Sequence, residues 1–249
     1  MELSDYDLKR YDRQMRIHGW GEEGQKRIKA AKVGVIGTGG LGSPLTTYLA
    51  VAGVGKIIAA DRDVVELSNL NRQILHWDKD IGRKKAESAA EKLKQVNPSI
   101  EVVVVGEDVT AENIDRIFEG VDVVVDGLDN YPSRFVLNEF AVRKRIPFVH
   151  GSVWGMEGRV TTVIPGKSPC LRCIVPEAPP REVFPVLGTI PALVATIQAT
   201  EVLKCITKVG LLLTGRLLVY NGEHMTFDEI PLERDPDCPV CSALWTSEG

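Results

Sequence analysis

The sequence predicts an α/β fold: a Rossmann-like, mostly parallel sheet with helices on both faces, followed by a mixed or antiparallel C-terminal extension stapled by a four-cysteine zinc site. Three observations predict it. Between residues 31 and 150, short β-branched runs alternate with longer segments of helical periodicity. A glycine-rich loop joins the first run to the helical segment after it. Beyond residue 151 the alternation stops, and two Cys-x-x-Cys pairs appear at 170–173 and 238–241.

In chain order, residues 6–30 set apolar positions at helical spacing among many charges, which predicts two short helices broken near Gly19-Trp20-Gly21. Residues 31–36 predict a buried strand, 43–54 a helix with Gly53 near its end, and 56–60 a second strand. Residues 84–95 predict an amphipathic helix and 101–105 a third strand. A helix is expected over 110–118, with Thr110 as its N-cap and acids in its first turn. A strand at 121–126, a helix at 133–145 and a strand at 148–150 follow. In the second half, strands are expected at 158–164, 216–220 and 229–234. Segment 177–185, rich in proline and charge, reads as an exposed crossing segment. Residues 189–209 are apolar almost throughout and predict a buried helix. A single domain over 1–249 is expected: a helical arm (1–30), a nucleotide-binding core (31–150) and a metal-stapled part (151–249).

With 249 residues and 44% hydrophobic content, the chain can bury a sizeable core. A formal net charge of −4 argues against a nucleic-acid or membrane surface. No uninterrupted apolar run approaches the roughly 20 residues of a bilayer span. The acidic start, Met1-Glu2-Leu3-Ser4-Asp5, is unlike an export signal, so a cytoplasmic location is expected. In that setting the paired cysteines read as metal ligands rather than disulfides.

Gly37-x-Gly39-Gly40-x-Gly42 lies between a predicted strand and a predicted helix. Glycines let the backbone approach phosphates closely, and a helix N-terminus attracts their charge. The next strand ends at Asp61, with Asp63 beside it, where an acid can accept hydrogen bonds from ribose hydroxyls. The loop alone fits NAD as well as ATP. Three further features point to a triphosphate: the polar run Ser68-Asn69-Leu70-Asn71-Arg72-Gln73, Lys85 at a helix start, and Asp129-Asn130 past the fourth strand. Arg72 and Lys85 suit phosphates, and Asp129 suits Mg²⁺, which binds through few carboxylates plus phosphate oxygens. Cys170, Cys173, Cys238 and Cys241 supply the four thiolates of a closed, structural Zn²⁺ shell.

Arg10-Tyr11-Asp12-Arg13-Gln14, the glycine loop, Asp61, 68–73, Lys85, Asp129-Asn130-x-x-x-Arg134 and the two Cys-x-x-Cys pairs occur in that order. Over roughly residues 7–242 the chain resembles the MoeB/ThiF/HesA family, relatives of ubiquitin-activating enzymes. The resemblance implies ATP- and Mg²⁺-dependent adenylation of the C-terminal glycine of a ubiquitin-like sulfur carrier of the MoaD or ThiS kind. It implies a phosphate site built on Arg72 and Lys85 with Asn69 close by, and Mg²⁺ on Asp129. It also implies a homodimer in which Arg13 reaches the neighbouring subunit's site. Many relatives carry a further cysteine in the crossing segment; here that position falls near Arg181-Glu182-Val183 and holds none. The remaining Cys205 sits in the 189–209 helical pattern and reads as a core thiol. Adenylation without an enzyme thioester is therefore expected. The competing readings are an NAD-dependent oxidoreductase, which leaves Arg13, Arg72, Lys85 and Asp129 without a shared purpose, and a nucleotide-binding module that has lost turnover.

Overall fold

The computed structural model describes residues 2–180 and 185–245. One eight-stranded sheet runs through it in the order β3-β2-β1-β4-β5-β6-β7-β8. Strands β1 (Lys32–Ile36), β2 (Lys56–Ala60), β3 (Glu101–Val105), β4 (Val123–Asp126) and β5 (Phe148–Trp154) are parallel. Strands β6 (Glu157–Val163), β7 (Arg216–Asn221) and β8 (Thr226–Pro231) add on antiparallel.

The central strands are Val/Ile-rich because they are covered on both faces. One face packs Val33, Val35, Ile57, Val123 and Val125 against α4 (Gly42–Ala52) and α9 (Thr189–Thr207). The other packs Ile36, Ile58, Val124 and Phe148 against Phe118 and α7 (Tyr131–Lys144). Helix α5 (Lys85–Val96) lies on β3 and α4.

Several elements differ from expectation. The arm forms three helices, α1 (Asp5–Arg10), α2 (Asp12–Met15) and α3 (Gly21–Ala30), because Ser4 and Asp7 cap a separate first helix reciprocally. Only a single turn, α6 (Ile114–Ile117), forms in 110–118; the Asn113 side chain accepts the Thr110 N–H at 2.8 Å and holds a turn where the helix was expected to start. Thr110 is therefore not the cap of that helix. Strand β5 runs four residues past 150 because β6 pairs with it to Trp154. The last strand lies earlier than 229–234, since the hairpin pairs Asn221 with Thr226 and Arg216 with Pro231.

Helix α9 is long and apolar enough to meet the length and hydropathy of a membrane span, which the sequence reading did not credit. It packs across β5, β6 and α4, and about half of its residues are buried. Ile190, Val194, Gln198, Val202 and Cys205 form its inward side, while Leu193, Ile197 and Ile206 are half-buried. Of segment 177–185, residues 177–180 and 185 are exposed and the rest lie outside the described residues.

Candidate active site

The glycine loop stands at the carboxyl end of β1, where strand order reverses between β1 and β4. Gly37 has φ +91°, and its N–H donates to Ala60 O at 2.8 Å. A Cβ on Gly42 would lie 1.9 Å from Gly37 O, so the turn into α4 closes too tightly for any side chain. Gly127, just past β4, presses on the same turn: a Cβ on Gly37 would meet Gly127 O at 2.6 Å. No side chain caps α4; Ser43 N–H bonds Gly39 O, Leu45 N–H bonds Leu41 O and Pro44 has no N–H, which leaves the Gly42 amide without a partner among the described residues and open to an anion.

Thr38 is buried, and its N–H and Oγ1 both donate to Asp61 Oδ2, at 2.8 and 2.9 Å. The acid read as a ribose acceptor thus also braces the loop. Asp61 Oδ1 accepts the Asp63 N–H at 3.0 Å, and the buried Lys85 donates to Asp63 Oδ2 at 3.0 Å. On the other side, Asn69 closes a turn: its side chain accepts the Glu66 N–H at 3.2 Å and its carbonyl accepts the amides of Arg72 and Gln73. This turn lays two side chains along the loop. A Cβ on Gly39 would stand 3.4 Å from Gln73 Nε2, and one on Gly40 3.4 Å from Arg72 Cγ and Cδ. Gln73 Oε1 is buried with no hydrogen-bond partner among the described residues. Among the described residues the Arg72 guanidinium donates only to Ser68 O and the Asn71 side chain, at 3.0 and 2.9 Å.

Asn130 caps α7 by accepting the Ser133 N–H at 3.0 Å. Asp129, two residues past Gly127, is exposed, and among the described residues its carboxylate accepts only from Asn130 Nδ2 at 3.4 Å. Behind it lies a buried polar cluster. Asp126 accepts from the Gly151 amide at 3.0 Å and bonds His150 Nδ1 at 2.6 Å, and its backbone carbonyl accepts from Gln198 at 2.8 Å. Arg134 donates to Leu128 O at 2.6 Å, which holds the segment carrying Asp129.

The structure therefore gathers Gly37–Gly42, Asp61, Asp63, Lys85, Asn69, Arg72 and Gln73 around one crevice and sets Asp129 and Asn130 at the adjoining strand end. It does not bring Arg13 there. Arg13 is exposed on α2, whose Gln14 donates to Ala52 O at the far end of α4. That helix has 11 residues, so its ends stand about 16 Å apart.

The four paired cysteines meet. Their sulfurs all lie within 4.8 Å of one another, with Cys170–Cys238 at 3.7 Å and Cys173–Cys241 at 3.4 Å. A tetrahedral Zn²⁺ with bonds of about 2.3 Å separates its sulfurs by about 3.8 Å, so the cluster can hold a metal. Burial pushes the Cys170 thiol up, as expected for sulfurs that need a cation to become thiolates. Cys170 precedes a single turn, α8 (Leu171–Ile174), in which the Cys173 amide donates to the Cys170 carbonyl at 3.0 Å. Cys205 is apart from this cluster. Burial and then the Glu201 charge push its thiol up to about 12.

Sequence reasoning missed a buried polar stripe on α5. Lys85, Ser88 and Lys92 share one face and are all buried. Their i, i+3, i+7 spacing was the available signal, but it is normally the mark of an apolar face. It also missed His76, which bonds Ser88 and the Thr38 carbonyl.

The comparisons agree with this geometry. The ThiF family profile matches residues 11–240. The chain is 44% identical over 247 residues to a SAMP-activating enzyme E1 of Haloferax volcanii, covering 97% of this chain and 91% of that one. It is 38% identical over 252 residues to a sulfur carrier protein adenylyltransferase of Thermus thermophilus, covering 97% and 93%. Among solved structures, E. coli MccB with ATP superimposes with a TM-score of 0.81 at 25% identity, over 96% of this chain and 76% of that one. A glycine loop braced by Asp61 at the β1/β4 crevice, in a chain matched along nearly its whole length, places this protein in the ThiF family, and it is an adenylyltransferase.

Proposed function

We propose that this chain uses ATP and Mg²⁺ to adenylate the C-terminal glycine carboxylate of a ubiquitin-like sulfur carrier, releasing pyrophosphate and forming no enzyme thioester. The observation that carries the reading is the gathering of Lys85, Arg72, Gln73 and the α4 N-terminus around one glycine loop, with the Arg72 guanidinium bound only to neutral partners. Its relatives' names supply the substrate class: one activates SAMPs, another adenylates sulfur carrier proteins.

The chemistry follows from charge. An ionised carboxylate attacks the α-phosphorus of another anion, so the barrier is largely electrostatic and positional. The Gly42 amide, Lys85 and Arg72 offset charge growing on the leaving pyrophosphate. No general base is needed, because the tail carboxylate is ionised at neutral pH. Asp129, exposed and free of any cation among the described residues, suits Mg²⁺, and the oxygen donors of carboxylate and phosphates match that hard ion. Mg²⁺ would screen phosphate charge and orient the leaving group. The cysteine tetrad suits structural Zn²⁺.

Arg13 serves a second copy of the chain, since its own glycine loop lies beyond the length of α4. The aligned thiol position near 181–183 carries no cysteine and lies outside the described residues. Cys205 is buried with a raised pKa, so no thiolate stands ready to take the acyl group. Carrier-dependent ATP–pyrophosphate exchange tests the reading: each Gly-Gly-ending small protein of the same genome is assayed in turn, and exchange with none of them refutes it. A reducible enzyme–carrier adduct on a non-reducing gel refutes the thioester-free step alone.

A further inference from the structure

Beneath the glycine loop runs a chain of buried polar groups that the adenylation chemistry does not use. His76 is 3% exposed, with Nε2 3.1 Å from Thr38 O and Nδ1 2.9 Å from Ser88 Oγ. Lys92 Nζ donates to Ser88 Oγ at 2.7 Å and pairs with the fully buried Asp80. Ser88 Oγ has no other acceptor among the described residues, so the two ends of this chain settle the protons between them. An ammonium only donates and a carbonyl only accepts. Ser88, accepting from Lys92, gives its proton to His76 Nδ1, and His76 Nε2–H donates to the Thr38 carbonyl. That requires a neutral imidazole in the Nε2–H tautomer. Burial, with Lys85 and Lys92 nearby, lowers the His76 pKa against the weaker pull of Thr38 O and Asp61.

We propose that His76 is a positioning residue of the phosphate loop: by holding the Thr38 carbonyl inward, it turns the Gly39 N–H outward to face the nucleotide phosphates. A trans peptide points its C=O and N–H in opposite directions, so fixing one aims the other. Ser43 Oγ donates to the same carbonyl at 2.7 Å, and Asp61 holds the Thr38 amide and hydroxyl. His76 is the member of this set whose support reaches back, through Ser88, to a buried ion pair. The ligand in this inference rests on the ATP reading; the pinning is a property of the free chain.

Two experiments test it. The chain has four histidines, so selective ¹⁵N labelling gives an assignable spectrum; His76 should appear as the neutral Nε2–H tautomer at pH 7. The Nδ1–H tautomer there, with a bare Nε2, would overturn the proposal. In pyrophosphate exchange, His76→Leu should raise KM for ATP about tenfold or more, change kcat less than about threefold and leave KM for the carrier in place. His76→Gln, whose side-chain amide can reach the Nε2 position, should recover most of that loss. A folded Leu variant with the normal ATP KM, or a Gln variant as impaired as Leu, would also overturn it. If the Leu variant does not fold, the tautomer and the Gln variant still decide. Failure of the wild type to bind ATP would sink the adenylation reading instead, and the tautomer would still decide the pinning.

Discussion

The two halves of this sheet are held together differently. In the parallel half, β1 and β4 are buried almost end to end, and the loops at their carboxyl ends are fixed by hydrogen bonds to Asp61, Asp126 and the polar groups of α5. In the antiparallel half, β7 is mostly half-buried and β8 is exposed along its whole length. The C-terminal segment leaves this hairpin and returns to the parallel half: Cys238 and Cys241 carry it back to Cys170 and Cys173, with Val240, Leu244 and Trp245 packed on the same core. The glycine loop is thus preorganised by the fold, whereas the C-terminal segment ends on four gathered cysteines that can hold a metal. The glycine loop is held by packing and buried hydrogen bonds, and the C-terminal segment meets the rest of the chain at four sulfurs.

The largest expected effect breaks that comparison if it spreads. A structural zinc contributes on the order of 10 kcal/mol to the folding of the segments it joins. Stripping it with a chelator, or Cys238→Ser, should release the amides of 165–176 and 232–245 to hydrogen exchange. The amides of Thr38 and Asp63 should stay protected. Loss of protection at the glycine loop as well would show that the halves are one cooperative unit. Metal analysis of the untreated protein should find about one zinc per chain.

Next in size are the charged groups at the crevice. Arg72→Ala and Asp129→Ala should each lower carrier-dependent exchange about a hundredfold or more, on the order of 3 kcal/mol, with the fold intact. Near-normal exchange in both would remove the site from this crevice. Arg13→Ala should be equally impaired, and its distance from its own loop makes a sharper test possible. Mixing Arg13→Ala and Asp129→Ala chains should restore about a quarter of wild-type activity, because random pairing leaves one intact composite site in half of the dimers. No recovery would place Arg13 in its own subunit's site or outside the reaction.

A smaller effect measures the relay behind the loop. Burial alone would raise the Asp80 pKa, but hydrogen bonds from Lys92, the Trp77 amide and Arg83 outweigh it and hold the carboxyl at about 2. A depressed folded-state pKa contributes stability above the unfolded value, 3.8, that is lost as pH falls toward the folded one. Acid unfolding should therefore lose about 2 kcal/mol between pH ~4 and ~2 through this carboxyl. Asp80→Asn should flatten that limb of the profile. Smallest of all, Cys205→Ala should leave exchange unchanged and cost on the order of 1 kcal/mol of stability, measured by denaturant melting. A lost activity there would give the buried thiol a role that its raised pKa argues against.

Much of the crevice was legible in the chain. The glycine spacing, Asp61, the 68–73 run, Lys85 and Asp129 are local signals, each tied to a strand end that β-branched runs announce. The cysteine pairs were legible for the same reason, since Cys-x-x-Cys fits one metal on a tight turn. The helix start at 110 misled because Asn113 and Thr110 are both capping residues, and only the folded turn shows which one bonds the other. The second role of Asp61 was not legible, because its bond to Thr38 joins residues 23 positions apart.

The sequence alone determined most of the order of strands and helices, the glycine loop between β1 and α4 and the paired cysteines, because those depend on periodicity and on residue types a few positions apart. Tertiary structure decided what no local pattern carries. It buried a Lys-Ser-Lys face of α5 against His76 and Asp80, where each polar group is tolerated only because another satisfies it. It also set Arg13 at the opposite end of α4 from its own chain's glycine loop, because α2 docks through Gln14 on Ala52 and the length of one helix separates the two.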